Sequence, residues 1–202
     1  MDSLIKKGYI GNPAQLVTLR RVEVREGRAK GTEIIEVHTS GGLQLDILPD
    51  AGLDIGQVRY RGINVSWMSK NGYDSPSIIS SHEMEFINSF PGGLLYTCGL
   101  RNAGPANRDK GEWHPLHGRY HGLQAEHVCA NIEENEIIVK GIIRETALFG
   151  HVLQLKRVIR IPCDGARINI HDELTNLTPR DEEIMMIYHC NFGYPLLSEK
   201  AK

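Results

Sequence analysis

Apolar and polar residues alternate with a period of two over much of the chain, the pattern of a strand that buries one face. It predicts strands at 33–39 and 43–48, broken by Ser40-Gly41-Gly42 and turned by Pro49-Asp50-Ala51-Gly52. Segments 55–60 and 63–67 read as a hairpin around Arg61-Gly62. Strands are also expected at 124–132, 136–145, 151–161, 166–174 and 183–190. The turns between them carry Glu134-Asn135, Phe149-Gly150, Asp164-Gly165 and Thr178-Pro179. Strands at this spacing, with no amphipathic helix between them, predict an all-β antiparallel sandwich rather than an α/β fold.

A helix is expected after Ser80, which forms a capping-box pattern with Glu83 and is followed by Met84, Ile87 and Asn88. Pro91-Gly92-Gly93 ends it. Residues 91–121 have little periodicity and are rich in Gly, Pro, Asn, Arg and His. A long irregular stretch between strand blocks is functional or disordered. Its Leu94, Leu95, Tyr96, Leu100, Trp113 and Leu116 argue against disorder.

The 202 residues suit one domain spanning 1–202. With 23 basic and 25 acidic residues the net charge is −2. No concentrated positive field marks a nucleic-acid or membrane-surface partner, and neither is expected. No signal-peptide core is seen at Met1-Asp2-Ser3-Leu4-Ile5-Lys6-Lys7-Gly8, and no stretch approaches the roughly 18 apolar residues of a span. Cys98, Cys129, Cys163 and Cys190 are scattered, without a CxxC pair. Reduced thiols in a cytoplasmic protein are the expectation.

Two clusters are candidates for chemistry. His114, His117 and His121 fall with Arg119 inside the run His114-Pro115-Leu116-His117-Gly118-Arg119-Tyr120-His121. Such a loop can aim imidazoles and a guanidinium into one pocket, although composition alone fits a polar surface loop equally well. Tyr188-His189-Cys190-Asn191-Phe192-Gly193-Tyr194-Pro195 follows the apolar strand Ile184-Met185-Met186-Ile187. His189 and Asn191, two apart, would share a strand face, although a lone histidine there is more often a satisfied core residue. His114, His117, His121 and His189 could in principle bind zinc, but the spacing matches no standard zinc pattern, so no metal or other cofactor is expected.

Together with Gly92-Gly93-Leu94-Leu95-Tyr96-Thr97-Cys98-Gly99-Leu100, Leu116-His117-Gly118-Arg119, and the run from Tyr188 to Leu197, two earlier segments complete a resemblance. They are Gly11-Asn12-Pro13-Ala14-Gln15-Leu16 and Leu48-Pro49-Asp50-Ala51-Gly52-Leu53-Asp54-Ile55-Gly56. The chain resembles the aldose 1-epimerase (galactose mutarotase-like) superfamily, in a branch known as a domain of unknown function. The resemblance implies a large twisted antiparallel β-sandwich, the supersandwich, incomplete at its C-terminal end here, with one or two short helices. It implies a small-molecule sugar, an aldose or sugar acid, as substrate, and mutarotase (isomerase) chemistry.

On that resemblance His189 and His117 match the two catalytic histidines. His189 would deliver a proton to the ring oxygen and His117 would polarise the same region. Arg119, Asn191, His121 and Trp113 would bind substrate, with Trp67 or Trp113 stacking on the sugar. The sequence departs from the branch at Ala51, where an arginine is usual, and at Arg101, where a positive charge is not expected. The family's sheet continues beyond the Leu196-Leu197 segment, and its base is a late glutamate whose context Glu199 does not match. A carbohydrate-binding relative without chemistry, and a metal-dependent cupin-like isomerase, are the competing expectations. The unpaired last strand implies a homo-oligomer.

Overall fold

A computed structural model describes residues 2–75 and 83–201. After helix α1 (Asp2–Lys6) the chain forms β1 (Thr18–Glu23), β2 (Glu33–His38), β3 (Leu43–Leu48), β4 (Asp54–Tyr60) and β5 (Ile63–Asn64). Helix α2 (Glu83–Ser89) precedes β6 (Leu95–Leu100), β7 (Asn107–Asp109) and β8 (Glu112–His114). The second half holds β9 (Glu126–Glu133), β10 (Glu136–Thr146), β11 (Val152–Pro162), β12 (Asn169–Asn176) and β13 (Met185–Cys190). The expected cap at Ser80 lies outside the described residues. No helix among the described residues is long and apolar enough to cross a membrane.

The architecture is the expected all-β antiparallel sandwich. One seven-stranded sheet runs β1-β2-β3-β4-β6-β13, with β5 on β4; a four-stranded sheet runs β12-β11-β10-β9. The β4–β5 turn has Arg61 at φ 49° and Gly62 at φ 80°. That left-handed pair is the two-residue hairpin geometry whose twist matches the strands. The facing sides of the two sheets interdigitate Ile35, Val37, Ile47 and Ile55 with Ile137, Val139, Leu155 and Ile159.

Three elements depart from the sequence expectation. Strand β6 lies inside the stretch expected to be irregular. All six of its residues are buried, so it shows no alternation. The hairpin β7–β8 also lies there, three polar-rich residues on each side. Strand β1 is an edge strand whose adjacent Arg20 and Arg21 break any alternation. Conversely the expected strand 63–67 keeps regular register with β4 at Ile63 and Asn64; Val65 still donates its amide to the Val58 carbonyl at 2.9 Å, and Ser66 then bridges Phe192.

A single arginine joins the sheets. Along β11, Leu153, Leu155, Arg157, Ile159 and Ile161 are all fully buried. An unpaired guanidinium there would be prohibitive, and Arg157 is fully matched instead. Its Nε and Nη2 donate to Asp172 Oδ1 and Oδ2 at 3.0 and 2.8 Å. Its Nη1 donates to Asp54 Oδ1 at 2.8 Å and the Gly52 carbonyl at 3.2 Å, and Nη2 also to Thr97 Oγ1 at 3.0 Å. These five bonds use every N–H of the group. The guanidinium also lies 5.2 Å from the ring of Tyr120. Asp54 further accepts from the Thr97 amide and hydroxyl at 2.7 and 2.6 Å. Burial pushes its carboxyl up to about 6, against Arg157 and Thr97, which pull it down.

Removing Arg157 strands two buried carboxylates. Arg157→Ala is expected to lower the unfolding free energy by about 3–5 kcal/mol. Arg160→Ala, whose partner Glu136 is reached in an exposed pair, is expected to change it by less than about 1 kcal/mol. Urea unfolding of both variants measures the difference, and equally small shifts would show that this knot does not hold the sheets together.

Candidate functional site

The outer face of the large sheet carries the candidate site. In β6 the side chains alternate: Thr97 turns inward to Arg157, while Tyr96 and Cys98 face away with Ala103, Phe86 and Phe90. Strand β13 pairs with β6 so that Tyr188 stands opposite Thr97 and His189 opposite Tyr96. Directly paired residues share a face. Tyr188 therefore joins the inner side, donating to Asp172 Oδ2 at 2.7 Å, and His189 joins the outer side.

The Leu116-His117-Gly118 loop returns to the same place. The backbone bends there with His117 at φ 62° and Gly118 at φ 78°. Gly118 is required, because a Cβ would lie 2.2 Å from the Asn102 carbonyl oxygen. His117 Nδ1 is 3.1 Å from the Ala103 carbonyl oxygen. A carbonyl can only accept, so Nδ1 carries the hydrogen and Nε2 is bare in the neutral ring. The His117 ring centroid lies 5.8 Å from that of His189 and 5.1 Å from that of Phe86.

His121, on the one-turn helix Tyr120–Gly122, stacks on Tyr96 at 4.6 Å. Its Nδ1 is buried without a hydrogen-bond partner among the described residues. Burial, with His117 second, pushes its pKa down to about 4, so the ring is neutral near pH 7. Phe90 completes the wall, 4.8 Å from Tyr96 and 6.3 Å from His189. Trp67, 44% exposed, stacks on Phe90 at 5.9 Å. A cavity of about 70 Å³ beside His121 and Tyr96, bounded also by Asp54 and Tyr73, has room for a few waters.

The structure thus brings His117, His121 and His189 together. Asn191 falls just past β13, and its amide donates to the Gly93 and His189 carbonyls at 3.0 and 3.3 Å. It clasps the strand end instead of sharing a strand face with His189. Arg119 Nη2 donates to the Trp113 carbonyl at 2.9 Å, and Nη1 lies 3.8 Å from Glu112. The guanidinium is thus engaged at the β7–β8 hairpin, as is half-buried Trp113 itself. His114, 4% exposed, has a buried Nδ1 without a hydrogen-bond partner among the described residues.

Arg101, the charge with no expected place, binds Glu182 at 2.6 Å, Glu112 at 3.1 Å and His151 Nδ1 at 3.1 Å. It fastens the hairpin and the approach to β13 onto the end of β6. Among the described residues no three His, Cys, Asp or Glu side chains stand where they could share a metal ion.

Sequence reasoning missed the aromatic wall and the arginine knot. Phe86 and Phe90, spaced i and i+4 at a helix, carried a signal for the first. An arginine in the inward series of β11 was the signal for the second.

The family described as "Domain of unknown function (DUF4432)" matches residues 29–202. No curated protein matches the sequence. The solved structure of a candidate aldose 1-epimerase from Klebsiella pneumoniae subsp. pneumoniae is similar with a TM-score of 0.80 at 23% identity, over 89% of this chain and 48% of that one. A galactose 1-epimerase from Lactobacillus acidophilus aligns with a TM-score of 0.45 at 16% identity, over 72% of this chain and 45% of that one. The first similarity establishes the galactose mutarotase-like sandwich as the fold. The chain spans about half the length of each of these structures.

The depressed His121 pKa has a consequence for stability. Between its ordinary value near 6.5 and about 4, the unfolded chain binds the proton more readily. Stability from this group is therefore complete above pH 6.5 and is lost as pH falls through 4. His151 is also held below its ordinary value by burial and acts in the same sense, whereas raised Asp54 acts in the opposite one. Between pH 7 and pH 5 the wild type is expected to lose up to about 2 kcal/mol more than His121→Gln. Urea unfolding at the two pH values measures it, and parallel losses would place an ordinary pKa on His121.

Proposed function

The chain belongs to the DUF4432 family, and from its paired imidazoles we propose that it is a mutarotase-type isomerase that interconverts the anomers of an aldose or sugar acid. The observation that carries this reading is the meeting of His117 and His189, 5.8 Å apart, on an aromatic-walled face of the large sheet. Anomer exchange needs a proton delivered to the ring oxygen and another taken from the anomeric hydroxyl. The ring opens, the carbonyl carbon rotates, and closure occurs on either face.

In this reading His189 is the acid at the ring oxygen, since an imidazole can be charged near neutral pH and still release its proton. His117, with Nε2 bare, accepts a hydrogen bond from a substrate hydroxyl. Trp67 and Phe90 offer apolar ring faces to the sugar's C–H surface. His121, neutral, contributes shape and one acceptor. Asn191 serves by fixing the His189 main chain. Arg119 and Trp113 take part through the hairpin that bears them, with Arg119 addressing hydroxyls or a carboxylate of the substrate.

One observation favours a second reading. Among the described residues none of His117, His121 and His189 pairs with a carboxylate. A face without a base would bind carbohydrate and do no chemistry.

Magnetisation-transfer NMR with neutral, acidic and phosphorylated aldoses separates the two. Exchange above the buffer rate supports the isomerase; binding without exchange supports the carbohydrate-binding reading. His189→Ala is expected to lose about 10²–10⁴-fold in exchange while retaining sugar affinity. An unchanged rate in that variant removes His189 from the acid role.

A further inference from the structure

The left-handed backbone at His117 calls for surroundings that over-determine it, because a non-glycine residue there is strained. One buried side chain meets that need. Asn102, 4% exposed, stands two residues past the end of β6 and faces both limbs of the loop. Its Nδ2 donates to the Pro115 carbonyl at 2.9 Å, the Pro105 carbonyl at 3.0 Å and the Gly104 carbonyl at 3.3 Å. Its Oδ1 accepts from Asn107 Nδ2 at 3.2 Å. The outgoing limb, 103–105, and the returning limb at Pro115 are thus tied through one amide.

The tied atoms are those that aim His117. Gly104, held by Asn102, accepts the His117 amide at 2.9 Å; Pro115, also held, accepts the Gly118 amide at 3.0 Å. Ala103, between Asn102 and Gly104, supplies the carbonyl that meets His117 Nδ1 at 3.1 Å. The main-chain oxygens of Asn102 and Gly99 together leave room only for glycine at 118.

We propose that Asn102 is the positioning residue of His117: it locks the imidazole in its Nδ1–H tautomer and points the bare Nε2 onto the imidazole face. Its effect on sugar chemistry rests on the function proposed above, whereas its effect on the tautomer does not. Aspartate at this position is nearly isosteric but brings a carboxylate to three carbonyl oxygens and has no hydrogen to give them. The Ala103 carbonyl then loses its fixed direction, and His117 loses the acceptor that selects its tautomer.

The test uses the full chain with ¹⁵N-labelled histidine, the His117 signals being assigned by their absence from His117→Gln. In wild type the neutral ring of His117 is expected to be the Nδ1–H form alone. Asn102→Asp is expected to give a mixture or the Nε2–H form, with His189 and His121 signals in place. If the protein exchanges anomers, kcat is expected to fall about 10- to 100-fold with a smaller change in KM, and this loss is expected to vanish in the His117→Gln background.

An unchanged His117 tautomer in a folded Asn102→Asp protein overturns the proposal. Should that variant not fold, Asn102→Ala, which removes every side-chain donor with less crowding, carries the same readout, and an unchanged tautomer there overturns the proposal equally. A wild type that exchanges no sugar refutes the proposed function alone, since the tautomer still decides the role of Asn102.

Discussion

Arg157 is the fixed point of this structure. It sits with no solvent exposure between the sheets, with Asp54, Asp172 and Thr97 consuming its donors beside the Gly52 carbonyl. The groups it touches are the sequence neighbours of the candidate site. Thr97 precedes Cys98 and follows Tyr96; Tyr120, under the guanidinium, precedes His121; Tyr188, bonded to the same Asp172, precedes His189. In a strand, neighbours face opposite sides. In β6 and β13 a charge cluster closed on the inside therefore sets where Tyr96, Cys98 and His189 emerge on the outside.

His117 is held differently. It is carried by a loop, and its place depends on carbonyl groups gathered by Asn102 and on the room left at Gly118. His189 thus inherits its position from a strand tied to the knot, while His117 is aimed by a loop that is itself bridged to β6 at Gly99. That division explains how one face can combine a rigid wall with a residue in a strained conformation.

Much of this was legible in the chain. Strands β10 and β11 bury one face and expose the other, so their alternation located them to within one residue at each end. His117 and His189 stood out by motif. What was hidden follows from physics. Strand β6 is buried on both faces and carries no alternation. The destinations of Asn191 and Arg119 are main-chain carbonyls, which a side-chain pattern does not display. Arg157 was visible as a charge in an apolar series, but its partners come from β4, β6 and β12, far apart in the chain.

Among the described residues strand β13 is the outermost strand of its sheet, hydrogen-bonded to β6. His189 and its neighbours Tyr188 and Cys190 are accordingly exposed. Opening free energies vary across a fold, and an edge ladder of six residues opens far more readily than a buried central one. The temperature or denaturant concentration at which His189 leaves its place is then set by that ladder, not by the melting of the whole sandwich. Loss of order at the site and loss of the fold become two separate events, and amide hydrogen exchange along β13 tracks the first of them.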